Sequence, residues 1–158
     1  MIVWRVTRRR YQSEVWSGRG GLHAAGRWHP KGRPVVYAAE HPAVCALEVL
    51  VHLDRSLVPA DLVLCSAALP DEGVETLPQE SLPDGWDSWP PPHATRTIGA
   101  AWLQGCRSLA LRVPSAAAPQ SFNILLNPQH PLMRALVPGS CEPWTPDDRF
   151  FEVSRDEP

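Results

Sequence analysis

The amino-acid sequence predicts an α+β fold that forms a single domain. Segments with strand patterns and segments with helix patterns follow one another without the regular spacing of βαβ units. The 18 prolines favour short elements joined by long, ordered loops over a helical bundle. A chain of 158 residues is long enough for one domain with a substantial hydrophobic core.

The first predicted element is an N-terminal strand, Ile2 to Val6, in which β-forming residues alternate. Arg5 would project from the face opposite to that of its two neighbours. Residues 7–34 then form a long irregular segment rich in glycine. Such segments in a compact domain are usually functional or disordered, and the aromatic and cationic side chains here favour an ordered binding loop.

A short strand, Val35 to Ala38, leads into an apolar helix that begins at Pro42, since proline suits the first helical position. At about 100° per residue, the apolar side chains from Ala43 to Leu53 cover most of the helix circumference. This distribution predicts a buried helix. One narrow polar sector contains His41, Cys45, Glu48, His52 and Arg55.

Glu48 lies in the middle of that polar sector. A carboxylate on a buried helix needs a partner or a pocket, because a desolvated and unpaired charge is costly. Arg27 and Arg33, just upstream, are candidate partners. Two interpretations stay open at this point: a structural Glu–Arg pair that holds a loop onto the helix, and a pocket for an anionic ligand with one carboxylate at its floor.

The remaining elements are three strands and one helix. The strands are expected at Asp61–Leu69, Ser108–Val113 and Phe122–Leu126. The helix is expected from Thr97 to Cys106, with Thr95 or Thr97 as its cap and with Ile98, Ala101, Trp102 and Leu103 facing inward. Between them, residues 70–93 are interpreted as a loop that packs through Trp86 and Trp89, and the chain after Leu126 as an irregular tail.

Composition and charge exclude several classes. The net charge of −2 lacks the basic footprint of a nucleic-acid binder, so no direct nucleic-acid partner is expected. Without a signal peptide or an apolar span of about 18 residues, the sequence predicts a soluble, cytoplasmic protein with no membrane partner. The four cysteines form no C-x-x-C pair, and Cys45, Cys65 and Cys106 lie in apolar segments. They are expected to be reduced core thiols without a disulfide framework.

Familiar catalytic motifs are missing: there is no P-loop, no G-x-G-x-x-G after a strand, no H-E-x-x-H and no G-x-S-x-G. The spacing of His23, His29, His41 and His52 matches no reliable ligand pattern, so no metal is expected. A Ser–His–Asp hydrolase that uses Ser115 is disfavoured, because this serine follows a proline at a strand end. A ribonuclease that uses His93 or His130 has little support.

What remains is a set of Arg, Tyr, Glu, Ser and Asn residues at strand ends and on one helix. Arginine binds phosphate bidentately, and an aromatic ring offers a stacking face. A lone glutamate can stabilise a sugar cation or hold a ribose hydroxyl. This combination suits a nucleotide that is cleaved at a glycosidic bond, although each residue type also has ordinary structural uses.

Several blocks occur in an order that resembles a known family, the RES-domain toxins of bacterial RES–Xre toxin–antitoxin modules. The resemblance covers roughly residues 2–151, with a RES domain expected at 1–153 and a tail at 154–158. The matching blocks are Trp4-Arg5-Val6, Gly26-Arg27-Trp28, Pro34-Val35-Val36-Tyr37, Ala46-Leu47-Glu48-Val49-Leu50-Val51-His52-Leu53, Val113-Pro114-Ser115, Asn123-Ile124-Leu125-Leu126-Asn127-Pro128-Gln129-His130-Pro131 and Asp148-Arg149-Phe150-Phe151.

The resemblance implies a fold similar to diphtheria-toxin-type ADP-ribosyltransferases: a split, mixed sheet with NAD⁺ in the cleft. NAD⁺ would be a substrate, broken at the nicotinamide–ribose bond, with ADP-ribose passed to water, phosphate or a protein target. The implied partner is a Xre/helix-turn-helix antitoxin that blocks the cleft in a multimeric complex. The alternative is a non-catalytic domain that binds a nucleotide or its antitoxin.

The resemblance also assigns catalytic roles to four residues. Arg27 is expected to hold an NAD⁺ phosphate, and Tyr37 to stack on or line the nicotinamide. Glu48 would stabilise cationic character on the ribose or grip its hydroxyls. Ser115 would shape the pocket and donate a hydrogen bond.

Two further residues are expected to bind NAD⁺. Arg5 occupies a matching strand position and would add a second phosphate contact. Asn123 lies in a matching block that also has a structural explanation. The sequence departs from the family at one position: many members have Gly-Gly-Arg-Trp-Asn where this chain has Ala25-Gly26-Arg27-Trp28-His29. The role of that asparagine therefore does not transfer to His29.

Overall fold

The computed structural model describes residues 1–53 and 58–151. Seven strands form one sheet, with short helices between them. The strands are β1 Ile2–Arg8, β2 Val36–Ala39, β3 Leu62–Ala68, β4 Val74–Thr76, β5 Ala110–Pro114, β6 Phe122–Leu126 and β7 Val137–Pro143. The α-helices are α1 Gly20–His23, α2 Pro42–Leu50 and α3 His93–Gly105, and 3-10 turns cover Arg9–Glu14, Asp71–Gly73, Gln79–Ser81, Pro131–Ala135 and Asp148–Phe151.

The sheet is mixed and is split between β1 and β2. Its strand order is β4-β5-β6-β2-β1-β3-β7, with β4 and β5 parallel and the other neighbours antiparallel. β1 follows β3 along its whole length, whereas its register with β2 is carried by Trp4 opposite Ala39. The two halves of the sheet therefore meet over a short distance and diverge beyond it.

Both faces of the sheet are buried around β6, which explains its uninterrupted apolar run. Ile124 and Leu126 pack into a core cluster with β1 and β2, while Leu125 packs into a second cluster under α3. Successive side chains of a strand point to opposite faces, so a central strand covered on both sides needs apolar residues at every position.

The helix α2 begins at Pro42 as predicted, with the His41 ring accepting a hydrogen bond from the amide of the first turn. The prediction that the apolar side chains of this helix are buried is wrong for one side of the helix. Val44 and Cys45 pack onto the sheet, but Leu47 and Val51 are 37% and 61% exposed. The reason is that the sheet covers one side of α2 only. Arg55, the last residue of the predicted polar sector, lies outside the described residues.

The helix α3 begins at His93, four residues before the predicted start, with Pro92 in the N-cap position. Thr95 is therefore not a cap but an internal, buried residue, whose hydroxyl lies 2.7 Å from the Arg27 carbonyl oxygen. Trp102 and Leu103 face the core as expected, while Ala101 is exposed. Tertiary contacts with the irregular segment decide this helix boundary.

Two edge strands, β4 and β7, lie where the sequence predicted a loop and a tail. β7 places Cys141 opposite Cys65 of β3, and the two cysteines form a disulfide. The prediction of a reduced Cys65 is therefore wrong, because the pairing depends on a strand register that spans 76 residues. Cys45 and Cys106 are free thiols.

In the described part of the chain, no helix is both long enough and apolar enough to cross a membrane.

Gly99 allows α3 to contact the irregular segment, since a Cβ there would lie 1.7 Å from the Trp28 carbonyl oxygen. We expect Gly99→Ala to force the helix outward and to lower the free energy of unfolding by about 1–3 kcal/mol or more. Chemical denaturation would measure the change. Gly105→Ala is the matched control in the same helix, because its Cβ would make ordinary contacts of 3.7 Å or longer. Equal stabilities for the two variants would contradict the described contact.

Candidate active site

A cleft of about 830 Å³ opens where the two halves of the sheet diverge. Its walls come from β1, β2, α2, the segment around residues 20–29, the loop at 87–91 and the start of α3. The volume falls in the range of small-molecule sites. Arg5, Arg27, Tyr37, Glu48 and Asn123 all line the cleft, and Ser115 contacts it through Glu48. The structure thus brings together the six residues that the sequence singled out.

Glu48 projects from α2 into the cleft, one turn beyond the residues that pack α2 onto the sheet. Its Oε1 atom accepts hydrogen bonds from Ser115 Oγ at 2.6 Å and from Asn123 Nδ2 at 2.5 Å. Among the described residues, Oε2 has no hydrogen-bond partner. The carboxylate is therefore oriented through one oxygen and presents the other to the cleft.

Among residues 1–53 and 58–151, the hydrogen-bond partners of Glu48 are neutral groups and not the predicted Arg27 and Arg33. Arg33 is exposed and Arg27 donates to backbone carbonyls instead. Arg27 and Glu48 still interact through space: burial lowers the pKa of Arg27, and the negative charge of Glu48 partly offsets that shift. The structural Glu–Arg pair is thereby disfavoured, and the pocket interpretation is favoured.

Ser115 follows β5 directly and is held by the turn that leads to β6. Its backbone amide donates to the Ser121 carbonyl, and its hydroxyl oxygen accepts from the amides of Ala117 and Ala118 at 3.2 and 2.9 Å. Since a hydroxyl has a single proton, these contacts leave that proton for Glu48. Asn123 lies on β6 opposite Ala39, so its amide is positioned by the sheet itself.

Arg5 crosses the gap between β1 and β2. Its Nη1 atom donates to the Tyr37 carbonyl at 2.5 Å, while its buried Nε has no partner within the described residues. Burial lowers the pKa of this guanidinium. A buried cation with a free donor beside a cleft is costly without a counter-charge, which is a reason to expect an anionic ligand.

The half-buried Tyr37 and the buried His29 contact each other at the wall of the cleft. The Tyr37 hydroxyl lies 3.0 Å from the Trp28 amide, which donates to it, and 2.9 Å from His29 Nδ1. Burial raises the pKa of Tyr37 well above its ordinary value and lowers that of His29. The phenol is therefore neutral across the physiological pH range.

Arg27 anchors the loop at the mouth of the cleft. Its Nη1 atom donates to the carbonyls of Trp86 at 2.5 Å and Ser88 at 3.0 Å. Trp86 also stacks on Trp28 with ring centroids 6.2 Å apart, which agrees with a loop that packs through a tryptophan. Trp89 is 74% exposed and does not pack as predicted, although its ring lies near His52.

Sequence reasoning missed Arg96, Asp87 and Trp89 as residues of the cleft. Arg96 donates from Nε to the Gly26 carbonyl at 3.1 Å and adds a third cation to the site. Arg96 was overlooked because the predicted helix began at Thr97, one residue after this arginine. Asp87 and Trp89 lie in a loop whose position no local pattern reveals.

Within residues 1–53 and 58–151, no three His, Cys, Asp or Glu side chains are grouped in a way that could hold a metal ion.

Comparison with known proteins adds an independent finding. A family described as the RES domain matches residues 2–148. "Toxin Res" of Pseudomonas putida is 44% identical over 96% of this chain and all of that protein. "Toxin Res" of Photorhabdus laumondii is 39% identical over 81% of this chain and 82% of that protein. The "Prs ADP-ribosylating toxin" of a Sphingobium species is 34% identical over 94% of this chain and 95% of that protein.

The chain therefore belongs to the RES-domain family of toxins, as the sequence resemblance predicted. A solved structure, the M. tuberculosis MbcT–MbcA toxin–antitoxin complex, has the same fold, with a TM-score of 0.73 and 19% identity. The similarity covers 91% of this chain and 84% of the other chain. The predicted α+β class with a split, mixed sheet is confirmed.

The contacts of Arg27 generate a test of its structural part. We expect Arg27→Ala to release the loop at the cleft mouth, so that the amides of Trp86 and Ser88, bonded to Pro83 and Gly85, exchange with solvent faster. Hydrogen exchange resolved by NMR measures this effect. Arg33→Ala is the control, because Arg33 is exposed and does not line the cleft. Unchanged exchange in Arg27→Ala would show that the loop holds itself in place.

Proposed function

We propose that this chain binds NAD⁺ in the cleft, cleaves its nicotinamide–ribose bond and transfers ADP-ribose to water, phosphate or a protein target. The observation that carries the proposal is Glu48, whose carboxylate is oriented by Ser115 and Asn123 and keeps Oε2 open to the cleft. The 34% identical relative named as an ADP-ribosylating toxin supports the same chemistry.

The charges of the cleft suit a dinucleotide. Arg5, Arg27 and Arg96 are three cations on its walls, and each retains guanidinium nitrogens that no described residue occupies. Guanidinium groups bind phosphate oxygens with charge-assisted hydrogen bonds. In the proposal, Arg27 and Arg5 bind the pyrophosphate, while the Tyr37 ring contacts the nicotinamide.

Glu48 would act on the bond that breaks. As nicotinamide leaves, positive charge develops on the ribose, and a preorganised carboxylate lowers the energy of that state more than the energy of the ground state. Ser115 and Asn123 position the carboxylate without neutralising it, since both are uncharged donors. Asn123 would thus contribute to the site mainly through Glu48.

The proposal includes a partner and a location. A Xre/helix-turn-helix antitoxin would cover the cleft in a multimeric complex in the cytoplasm, and the solved relative in a toxin–antitoxin complex supports an antitoxin partner. The exposed apolar side chains of Val51 and Trp89 line the cleft, and a bound antitoxin would bury them. The domain is proposed to extend over residues 1–153, with a tail at 154–158 that lies outside the described residues.

Replacement of Glu48 by glutamine tests the central assignment. In Glu48→Gln the side-chain amide oxygen can still accept from Ser115 and Asn123, so the fold is retained while the negative charge is lost. We expect NAD⁺ cleavage to fall about 100- to 1000-fold. Nicotinamide release by the purified, antitoxin-free chain, followed by chromatography, measures it.

The control for this test is Glu72→Gln, which removes an exposed carboxylate away from the cleft. It should cleave NAD⁺ at the wild-type rate. Unchanged cleavage by Glu48→Gln would refute the role of Glu48. Intact NAD⁺ after long incubation with the folded wild-type chain would refute the enzyme itself and favour a binding-only domain.

Ser115 is expected to act through Glu48. Ser115→Ala removes one of the two donors to Oε1, and we expect kcat to fall about tenfold or more, because hydrogen bonds to charged groups contribute roughly 1.5–3 kcal/mol. The KM for NAD⁺ should change less. Ser81→Ala, at an exposed serine, is the control. An increase in KM at constant kcat would instead place Ser115 in substrate binding.

A further inference from the structure

We propose that His29 is a positioning residue, which holds the Tyr37 ring at the wall of the cleft by accepting the phenolic proton at Nδ1. The inference rests on the proposed function only in taking Tyr37 to face the substrate. His29 is 4% exposed. The hydrogen-bond partners of His29 and Tyr37 determine which atom of this pair donates and which accepts.

The tautomer of His29 follows from its two contacts. Nε2 lies 3.0 Å from the Ala24 carbonyl oxygen, which can only accept, so Nε2 carries the proton. In a neutral imidazole the other nitrogen is then an acceptor. Nδ1 lies 2.9 Å from the Tyr37 hydroxyl, which must therefore donate to it.

The Tyr37 hydroxyl has one hydrogen-bond partner that accepts its proton and one that donates to its oxygen. It donates its proton to His29 and accepts from the Trp28 amide at 3.0 Å. The same phenol has a raised pKa because of its burial. Tyr37 thus cannot serve as an acid or a base toward the substrate without breaking this arrangement, and it offers the cleft its ring.

Two glycines close the space around the pair. A Cβ at Gly26 would lie 2.6 Å from the Tyr37 hydroxyl and 2.8 Å from His29 Cε1. A Cβ at Gly21 would lie 3.1 Å from His29 Nε2 and 2.2 Å from the Arg33 carbonyl oxygen. The backbone at these two glycines therefore lies close to both side chains, and a side chain at either position would displace them.

Burial, together with one nearby cation, favours the neutral form of His29. Burial lowers its pKa, and Arg96, which approaches from α3, lowers the pKa further, while the Ala24 carbonyl opposes both. Arg27, Arg96 and Glu48 act on the Tyr37 side of the pair. As pH falls through the lowered pKa, Nδ1 gains a proton and can no longer accept from Tyr37. The hydrogen bond in which Tyr37 donates to His29 is therefore present above that pKa and lost below it.

The hydrogen bond itself is tested by NMR on the full chain with ¹⁵N-labelled histidine. We expect His29 to be the Nε2–H tautomer at neutral pH, with a pKa below the ordinary 6.5. We also expect Tyr37→Phe to shift the Nδ1 resonance of His29. This measurement needs no NAD⁺. The Nδ1–H tautomer, or a Nδ1 resonance unaffected by Tyr37→Phe, would overturn the proposal.

The positioning role is tested by kinetics with four variants: His29→Ala, His29→Asn, Tyr37→Phe and the double variant His29→Ala/Tyr37→Phe. We expect His29→Ala to raise the KM for NAD⁺ about tenfold, as the loss of one hydrogen bond would. His29→Asn should recover most of this loss, since its amide can accept from Tyr37. The double variant should match the more impaired single variant, because the two residues act as a unit.

Additive effects of the two single variants, or a fall in kcat with KM unchanged, would refute a role through Tyr37. If the wild-type chain leaves NAD⁺ intact, the proposed function fails, and the NMR measurement still decides whether His29 holds Tyr37. The two proposals can therefore fail separately.

Discussion

The site depends on the divergence of β1 and β2. Where these strands separate beyond Trp4 and Ala39, the sheet can no longer pair every backbone group, and a buried carbonyl without a partner is costly. Arg5 provides the missing donor by reaching the Tyr37 carbonyl. The cleft lies at this same gap. The divergence of β1 and β2 therefore explains both why a cation is buried there and why a ligand can enter.

A second feature is that neutral donors hold the acidic residue of the site. Had Glu48 been paired with an arginine, much of its negative charge would have been compensated within the protein. Ser115 and Asn123 instead orient the carboxylate and leave its charge directed at the cleft. Arg27 interacts with this carboxylate through space and does not donate a hydrogen bond to it.

Local patterns were sufficient for elements whose environment is simple. β3 and β6 are largely buried strands rich in apolar residues, β1 is marked by its alternating β-forming residues, and the start of α2 is marked by Pro42. Edge strands were missed, because they bury little and contain polar residues and prolines. The exposure of α2 was also misjudged, because apolar residues cover most of its circumference and yet the sheet covers one side only. Exposed Val51 at its end lines the cleft.

The sequence by itself indicated part of the candidate site, since Arg27, Tyr37, Glu48 and Ser115 could be singled out from short blocks in the right order. The tertiary structure alone decided their contacts. In the folded chain, Glu48 accepts from a neutral serine and Arg27 donates to a loop carbonyl. Arg96 joins the site through the Gly26 carbonyl, and His29 contacts the Tyr37 hydroxyl. The physical reason is that residue type and spacing are local properties, whereas these contacts join residues brought together by strand pairing and by the packing of α3.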